Sequence, residues 1–280
     1  MSELPPDQRR RLRGRGALTR PAGRFEVTRV EDFDDGWGSL DEELEVESIA
    51  THVSEERSSS ALSRNDSPDI PFDRSINPYK GCEHGCIYCF ARPTHAYLGL
   101  SPGIDFETRL VAKPELPQRL AETFAKPGYD PQVIALGANT DPYQPVERQR
   151  GLTRELLEVF WEHRHPVMVI TKSAGILRDL DILTRLAEER LATVRISLTT
   201  LEPALARALE PRAPTPKVRL KTVRALAEAG VPVGVLTSPI IPALNDGELE
   251  GLLEAASLAG ASTAAYALLR LPRDVAGLMD

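Results

Sequence analysis

The chain has 280 residues, of which 41% are hydrophobic and 27% are charged, and its formal net charge is −7. This composition is typical of a soluble globular protein, and the negative total excludes a broad basic field for binding nucleic acid. No apolar run approaches the roughly 20 residues of a membrane span, and the N-terminal residues lack the apolar stretch of a secretory signal, so we expect a cytoplasmic protein without membrane contact.

The first 68 residues are predicted to be a poorly ordered, largely disordered N-terminal extension, followed by a core domain over residues 69–280. Residues 1–25 contain seven arginines, whereas residues 31–47 contain nine acidic residues and neither lysine nor arginine. These blocks indicate either a solvated tail whose halves attract each other or an arm whose arginines contact nucleic-acid phosphates.

Six segments are predicted to be strands because they are short and rich in apolar or β-branched residues. They are residues 73–79, 132–137, 166–171, 193–199, 232–237 and 263–269. Amphipathic segments predict helices over residues 114–125, 152–163, 178–190, 216–229 and 246–259. The alternation favours an α/β fold with a parallel sheet, and six units are too few for an eight-stranded barrel, so we expect an open or partial barrel.

All three cysteines, Cys82, Cys86 and Cys89, lie within eight residues in the spacing C-x3-C-x2-C. An odd and tight cluster indicates metal binding rather than a disulfide framework. Thiolates are soft ligands suited to iron–sulfur clusters, and three of them leave one iron of a [4Fe–4S] cube free for a small molecule. The alternative is a non-catalytic structural module that binds zinc through the cysteines and His84 or His95.

The three cysteines, with Tyr88 before the last and a predicted strand before the first, resemble the signature of the radical SAM superfamily. Residues 77–92, 139–147 and 171–173 are similar to its spore photoproduct lyase-like branch. The resemblance implies a partial (β/α)6 TIM-like barrel of the radical SAM type, with a [4Fe–4S] cluster in the loop after the first strand. It also implies that Tyr88 contacts the cofactor.

The same resemblance implies an enzyme that cleaves S-adenosylmethionine (SAM) reductively to methionine and a 5′-deoxyadenosyl radical. That radical takes a hydrogen atom from an unidentified substrate, for which nucleic acid is one option. The implied partner is an electron donor such as flavodoxin or ferredoxin. Because the chain has no fourth cysteine, any hydrogen donation to a substrate must come from another residue type.

Ligands of parallel barrels bind at the carboxyl ends of the strands, so the residues at those ends are candidate SAM contacts. The resemblance places Asn139 and Asp141 where the superfamily receives the SAM ammonium, although both residue types also form ordinary turns. Lys172 is a candidate for the SAM carboxylate, or a lysine that reaches solvent. Ser197 is a candidate to bind the SAM ribose or carboxylate; the alternative is a serine whose hydrogen bonds are satisfied locally. Leu236 is a candidate to contact the adenine of SAM; the alternative is a residue of the apolar core.

Overall fold

The computed structural model describes residues 15–17, 19–21, 24–25, 49–66, 70 and 72–279. The strands are β1 (His52–Glu55), β2 (Ser63–Arg64), β3 (Arg74–Ile76), β4 (Tyr79–Lys80), β5 (Arg109–Ala112), β6 (Ile134–Leu136), β7 (Val167–Thr171), β8 (Ala192–Ser197), β9 (Val233–Ile240) and β10 (Thr263–Leu268). The α-helices are α1 (Asp105–Thr108), α2 (Leu116–Phe124), α3 (Glu147–Arg150), α4 (Leu152–Glu162), α5 (Leu180–Glu188), α6 (Pro203–Leu209), α7 (Pro216–Glu228), α8 (Leu249–Leu258) and α9 (Arg273–Ala276).

The main sheet has seven strands in the order β10-β9-β8-β7-β6-β3-β2 and curls into a half barrel. All pairs from β3 to β10 are parallel, and β2 runs antiparallel to β3. A smaller sheet has the order β1-β5-β4. The predicted partial TIM-like α/β fold is therefore confirmed.

The core lies between the convex face of the main sheet and the helices α2, α4, α5, α7 and α8. Alternate residues of β7, such as Val167 and Val169, are buried in this core, and Leu156 of α4 and Leu183 of α5 pack there as well. Burying side chains of this size stabilises the fold by roughly 1.5–3 kcal/mol each. No helix in the described part of the chain has the length and apolar character needed to cross a bilayer.

The six predicted strands correspond to β3 with β4, β6, β7, β8, β9 and β10, and the five predicted helices to α2, α4, α5, α7 and α8. The first predicted strand is divided, because Tyr79 and Lys80 leave the main sheet and pair with β5. The sequence did not predict β1, β2, β5 or the helices α1, α3, α6 and α9. These elements have seven residues or fewer, which is too short to show a clear period.

Part of the predicted N-terminal extension is packed against the core. Strands β1 and β2 lie within residues 49–66, and Arg15 and Ala17 are buried. Most of residues 1–48, including the acidic block, lies outside the described residues. The boundary between extension and core stays a prediction.

Candidate functional site

The three cysteines lie in the loop that follows β4, beyond the carboxyl end of β3. Cys82 and Cys86 are buried and Cys89 is half-buried, and none of them forms a disulfide. The loop turns sharply at Gly81 and Gly85, which have φ values of 79° and 69°. Such positive values favour glycine, which allows the backbone to turn tightly within the loop that carries the three sulfur atoms.

The donor set of this loop fits an iron–sulfur cluster, which proteins hold through cysteine thiolates. Burial raises the pKa of Cys86 to about 12, and it also raises the pKa of Cys82 and of Cys89. Coordination of iron would release the thiol protons. Among the described residues, no group of three or more His, Cys, Asp or Glu side chains is arranged to hold a single metal ion.

Side chains on both flanks anchor the cysteine loop. The Glu83 N–H donates to Gln144 Oε1 at 2.9 Å, and Gln144 Nε2 donates to the Gly81 carbonyl at 3.1 Å. The Glu83 carboxylate accepts from the Val146 N–H at 2.9 Å and from the Thr51 hydroxyl at 2.8 Å. Because these groups are mostly buried, their hydrogen bonds fix the loop relative to the segment after β6.

A buried ion pair connects the loop to residues 15–17 of the predicted N-terminal extension, which we call the N-terminal arm. Arg92 Nε donates to the Cys86 carbonyl at 2.9 Å, and Arg92 NH2 lies 2.6 Å from Glu107 Oε1. The same carboxylate accepts from the backbone N–H groups of Gly16 at 2.9 Å and Ala17 at 2.7 Å. Glu107 therefore joins the arm to the loop through one carboxylate.

The arm also touches the loop directly. A Cβ on Gly16 would stand 1.7 Å from the Gly85 carbonyl oxygen, so only glycine permits this approach. The Arg15 guanidinium donates to the carbonyls of Glu107 at 2.8 Å and Ile49 at 2.7 Å. Arg15 is thus a buried structural residue, neither part of a solvated tail nor exposed for contact with nucleic-acid phosphates. Outside the described residues lie Arg9, Arg10, Arg11 and Arg13.

Asp141 lies behind the cysteine loop with both carboxylate oxygens engaged. Oδ1 accepts from Thr171 Oγ1 at 2.6 Å and from the Tyr143 N–H at 2.9 Å, and Oδ2 accepts from the Lys172 N–H at 2.7 Å. His84 Nδ1 lies 3.3 Å from Oδ2 but is not aligned for a hydrogen bond. Burial opposes ionisation of Asp141, but His84 and these hydrogen bonds lower its pKa below the usual value.

Asn139, the other residue predicted to receive the SAM ammonium, is exposed at the carboxyl edge of the sheet. Its backbone N–H donates to Asn77 Oδ1 at 2.8 Å, which fixes the position of the residue after β6. The two predicted ammonium contacts therefore differ in accessibility, since Asp141 is internal and Asn139 faces outward. The SAM-binding role of both stays a prediction.

Two of the predicted cofactor contacts, Tyr88 and Lys172, meet at one buried carboxylate, Glu210, and Ser197 joins them through Lys172. Lys172 Nζ donates to Ser197 Oγ at 2.6 Å and lies 3.2 Å from Glu210 Oε1. The Tyr88 hydroxyl donates to Glu210, and Arg219 NH2 donates to its other oxygen. The structure therefore brings together residues from the cysteine loop, from the carboxyl ends of the parallel strands β7 and β8 and from helix α7.

This cluster carries two cations and one anion. Burial opposes the charge of Glu210, but Arg219 and Lys172 hold its pKa below the usual range. Burial likewise opposes the charge of Lys172, but Glu210 raises its pKa above the usual value. Because all three groups stay charged, the cluster has a net positive charge beside the cysteine loop, which suits an anionic group such as a carboxylate.

Glu210 was missed by the sequence analysis. It follows α6 in the run Leu209-Glu210-Pro211-Arg212, which indicates only a loop. The one available signal was an acidic residue within the connection that leaves the carboxyl end of a parallel strand, β8, where ligands bind. Its neighbour Arg212 also reaches the site, since NH2 lies 3.4 Å from Glu83 Oε1.

Leu236 pairs in register with Ser197, and the Leu198 N–H donates to the Leu236 carbonyl at 2.9 Å. Side chains paired in register point to the same face of a sheet, so Leu236 and Ser197 share the concave face. Leu236 is half-buried there, whereas Val235 lies in the core on the convex face. Its contact with adenine stays a prediction.

Comparison with solved structures shows that several proteins share this fold. A spore photoproduct lyase variant matches with a TM-score of 0.62 and 15% identity, covering 81% of this chain and 65% of that one. A second variant, solved with AdoMet and a dinucleoside spore photoproduct, matches at 0.61 and 15% identity over the same shares. Streptococcus suis SuiB bound to S-adenosylmethionine matches at 0.51 and 15% identity, covering 71% of this chain and 41% of SuiB.

Sequence comparison finds relatives that match about two thirds of this chain. The uncharacterised protein Rv2578c of Mycobacterium tuberculosis is 37% identical over 195 residues, which are 69% of this chain and 57% of the relative. The uncharacterised protein MJ0683 of Methanocaldococcus jannaschii is 29% identical over 173 residues, 62% of each chain. The match therefore spans less than two thirds of these relatives. The family model of the radical SAM superfamily matches residues 76–256, and the chain belongs to that superfamily.

Proposed function

We propose that this protein is a radical SAM enzyme that holds a [4Fe–4S] cluster on Cys82, Cys86 and Cys89. The observation that supports this most directly is the position of the three unpaired thiols in one tight loop at the carboxyl edge of the half barrel. A buried group with net positive charge, formed by Lys172, Glu210 and Arg219, lies beside that loop.

The chain's own residues bind and orient SAM in this proposal. Lys172 Nζ pairs with the SAM carboxylate, and Ser197 and Tyr88 hold the lysine and that end of the ligand in place. The exposed amide oxygen of Asn139 accepts from the SAM ammonium, and Leu236 provides apolar contact for adenine. When bound, the cluster supplies one electron that splits SAM into methionine and a 5′-deoxyadenosyl radical, which takes hydrogen from the substrate.

We propose nucleic acid as the first substrate class to examine, and an electron donor such as flavodoxin or ferredoxin as the redox partner. Support for the substrate class comes from the related fold solved with a dinucleoside spore photoproduct. Oligonucleotides of defined sequence, with and without ultraviolet irradiation, can be added to the SAM cleavage reaction. If these oligonucleotides are labelled with deuterium, transfer of the label into 5′-deoxyadenosine identifies the oligonucleotide as the hydrogen source.

The experiment that tests the proposed function is anaerobic reconstitution with iron and sulfide, followed by addition of dithionite and SAM. We expect release of 5′-deoxyadenosine by the wild-type protein, and none above background after Cys82→Ala, Cys86→Ala or Cys89→Ala. Because these are the only cysteines of the chain, no other thiol can replace a lost ligand. Equal release by the cysteine variants would contradict the assignment.

A further inference from the structure

The concave face of the half barrel is lined by side chains that the helices do not cover. In β8, Ala192, Val194 and Ile196 lie in the core on the convex face, whereas Thr193 and Arg195 are half-buried on the opposite face. This follows from the two-residue period of a strand. A charged residue therefore occupies the middle of the concave face.

The Arg195 side chain lies flat across three strands. A Cβ on Gly234 of β9 would stand 2.3 Å from Arg195 NH1 and 2.3 Å from Thr263 Oγ1 of β10. Arg195 NH1 donates to Thr263 Oγ1 at 2.5 Å. The missing side chain of Gly234 thus provides the space in which the guanidinium reaches from β8 over β9 to β10.

The guanidinium of Arg195 has no carboxylate partner among the described residues, and the Thr263 hydroxyl is the one hydrogen-bond acceptor it has there. Two buried arginines near the cysteine loop differ in this respect, since Arg92 pairs with Glu107 and Arg219 with Glu210. A guanidinium has five N–H donors arranged to bind a carboxylate or phosphate in two-point fashion. Arg195 therefore retains most of its donors for a ligand on the concave face.

We propose that the concave face holds an anion-binding site in which Arg195 receives a carboxylate or phosphate group of the substrate, with the Thr263 hydroxyl beside it. This inference rests on the proposed function. Ser197, a proposed SAM contact, lies two residues further along the same face of β8, roughly 7 Å nearer the carboxyl edge. A substrate anchored at Arg195 would extend from there toward the edge at which the radical forms.

The test is calorimetric titration of the reconstituted full chain with pyrophosphate and, separately, with succinate. We expect one binding site for at least one of these probes. Arg195→Gln should weaken it by on the order of tenfold or more, as loss of a charge-assisted hydrogen bond does. Arg195→Lys, which keeps the charge but not the planar donor pair, should give an intermediate affinity. Tighter pyrophosphate binding assigns a phosphate, and tighter succinate binding a carboxylate.

Arg224→Gln is the matched control, because Arg224 is exposed on helix α7 and the substitution removes the same charge from the outer surface. It should bind the probe as the wild type does. Absence of binding by the wild type, or equal affinity of the wild type and Arg195→Gln, would overturn the site. SAM cleavage is measured on the same samples. If the wild type binds neither probe but still releases 5′-deoxyadenosine, the anion site alone is refuted. If the wild type binds a probe through Arg195 but releases no 5′-deoxyadenosine, the radical chemistry is refuted.

Discussion

The cysteine loop and the concave face of the half barrel are neighbours, but they differ in how their polar groups are satisfied. In and around the loop, Glu83, Glu107 and Glu210 each bind two or more donors from distant parts of the chain. On the concave face, Arg195 has one hydroxyl acceptor among the described residues. The loop is thus held in shape by the protein itself, whereas the concave face keeps hydrogen-bonding capacity for a ligand.

This difference separates two tasks. A cluster and its SAM ligand need a fixed geometry, which buried and fully paired carboxylates provide. A substrate has to enter and leave, and a half-open face with unused donors permits this.

The largest expected effect is on the stability of the buried charge cluster. Glu210→Gln would leave Arg219 and Lys172 buried without their anion, so we expect the free energy of unfolding to fall by about 3–5 kcal/mol. Glu189→Gln is the control, since it breaks an exposed pair with Arg164 and should cost under about 1 kcal/mol. Urea denaturation measures both. Similar losses of unfolding free energy in the two variants would mean that charge pairing around Glu210 does not stabilise the site.

Lys172→Met tests the ammonium group that lies between the cysteine loop and the concave face. Removing the ammonium should weaken SAM binding by roughly 10- to 100-fold, because a charge-assisted hydrogen bond contributes about 1.5–3 kcal/mol. Equilibrium dialysis of SAM against reconstituted protein measures this loss. Lys221→Met, on the exposed side of α7, serves as the control. Unchanged SAM affinity in Lys172→Met would remove this residue from the cofactor site.

Gly16→Ala tests whether the N-terminal arm protects the cysteine loop. The new methyl group would collide with the Gly85 carbonyl, so the arm should separate from the loop and expose its thiols. We expect alkylation by iodoacetamide in the cluster-free protein to become several times faster. The chain has no other cysteines, so the rate reports on this loop alone. Gly247→Ala, where a Cβ meets open space, should leave the rate unchanged, and an unchanged rate in Gly16→Ala would contradict a protective arm.

The last prediction concerns His165, a buried residue outside both regions, whose protonation provides a reference for the acid sensitivity of the fold. Its ring stacks on Phe124 at 4.1 Å, and Tyr129 Oη lies 2.9 Å from Nε2. Burial lowers its pKa to about 4. Below pH 6.5 the imidazole of His165 is protonated in the unfolded chain but stays neutral in the folded chain. The free energy of unfolding therefore falls as the pH decreases toward 4.

His165→Gln cannot take up this proton, so its unfolding free energy should lose about 3 kcal/mol less than that of the wild type between pH 7 and pH 4. Urea denaturation at several pH values gives the comparison. Parallel curves for the two proteins would show that His165 does not titrate as described, and that acid sensitivity originates elsewhere in the molecule.

The sequence predicts those parts of the molecule whose signal is local. Strands such as β7 and β9 are continuous apolar runs, and Lys172 and Ser197 are found because they stand at strand ends. Glu210 is missed because its role depends on contacts with Tyr88 and Arg219 that the local sequence does not show. The arm is missed for the same reason, since Gly16 meets a carboxylate 91 residues away.

The proposed function requires that Cys82, Cys86 and Cys89 hold a cubane iron–sulfur cluster, and metal analysis of the anaerobically reconstituted full chain measures whether they do. We expect about four irons and four sulfides per chain, and their loss after replacement of any of the three cysteines. One zinc per chain, with neither iron nor sulfide retained, would contradict it and would favour the structural zinc module.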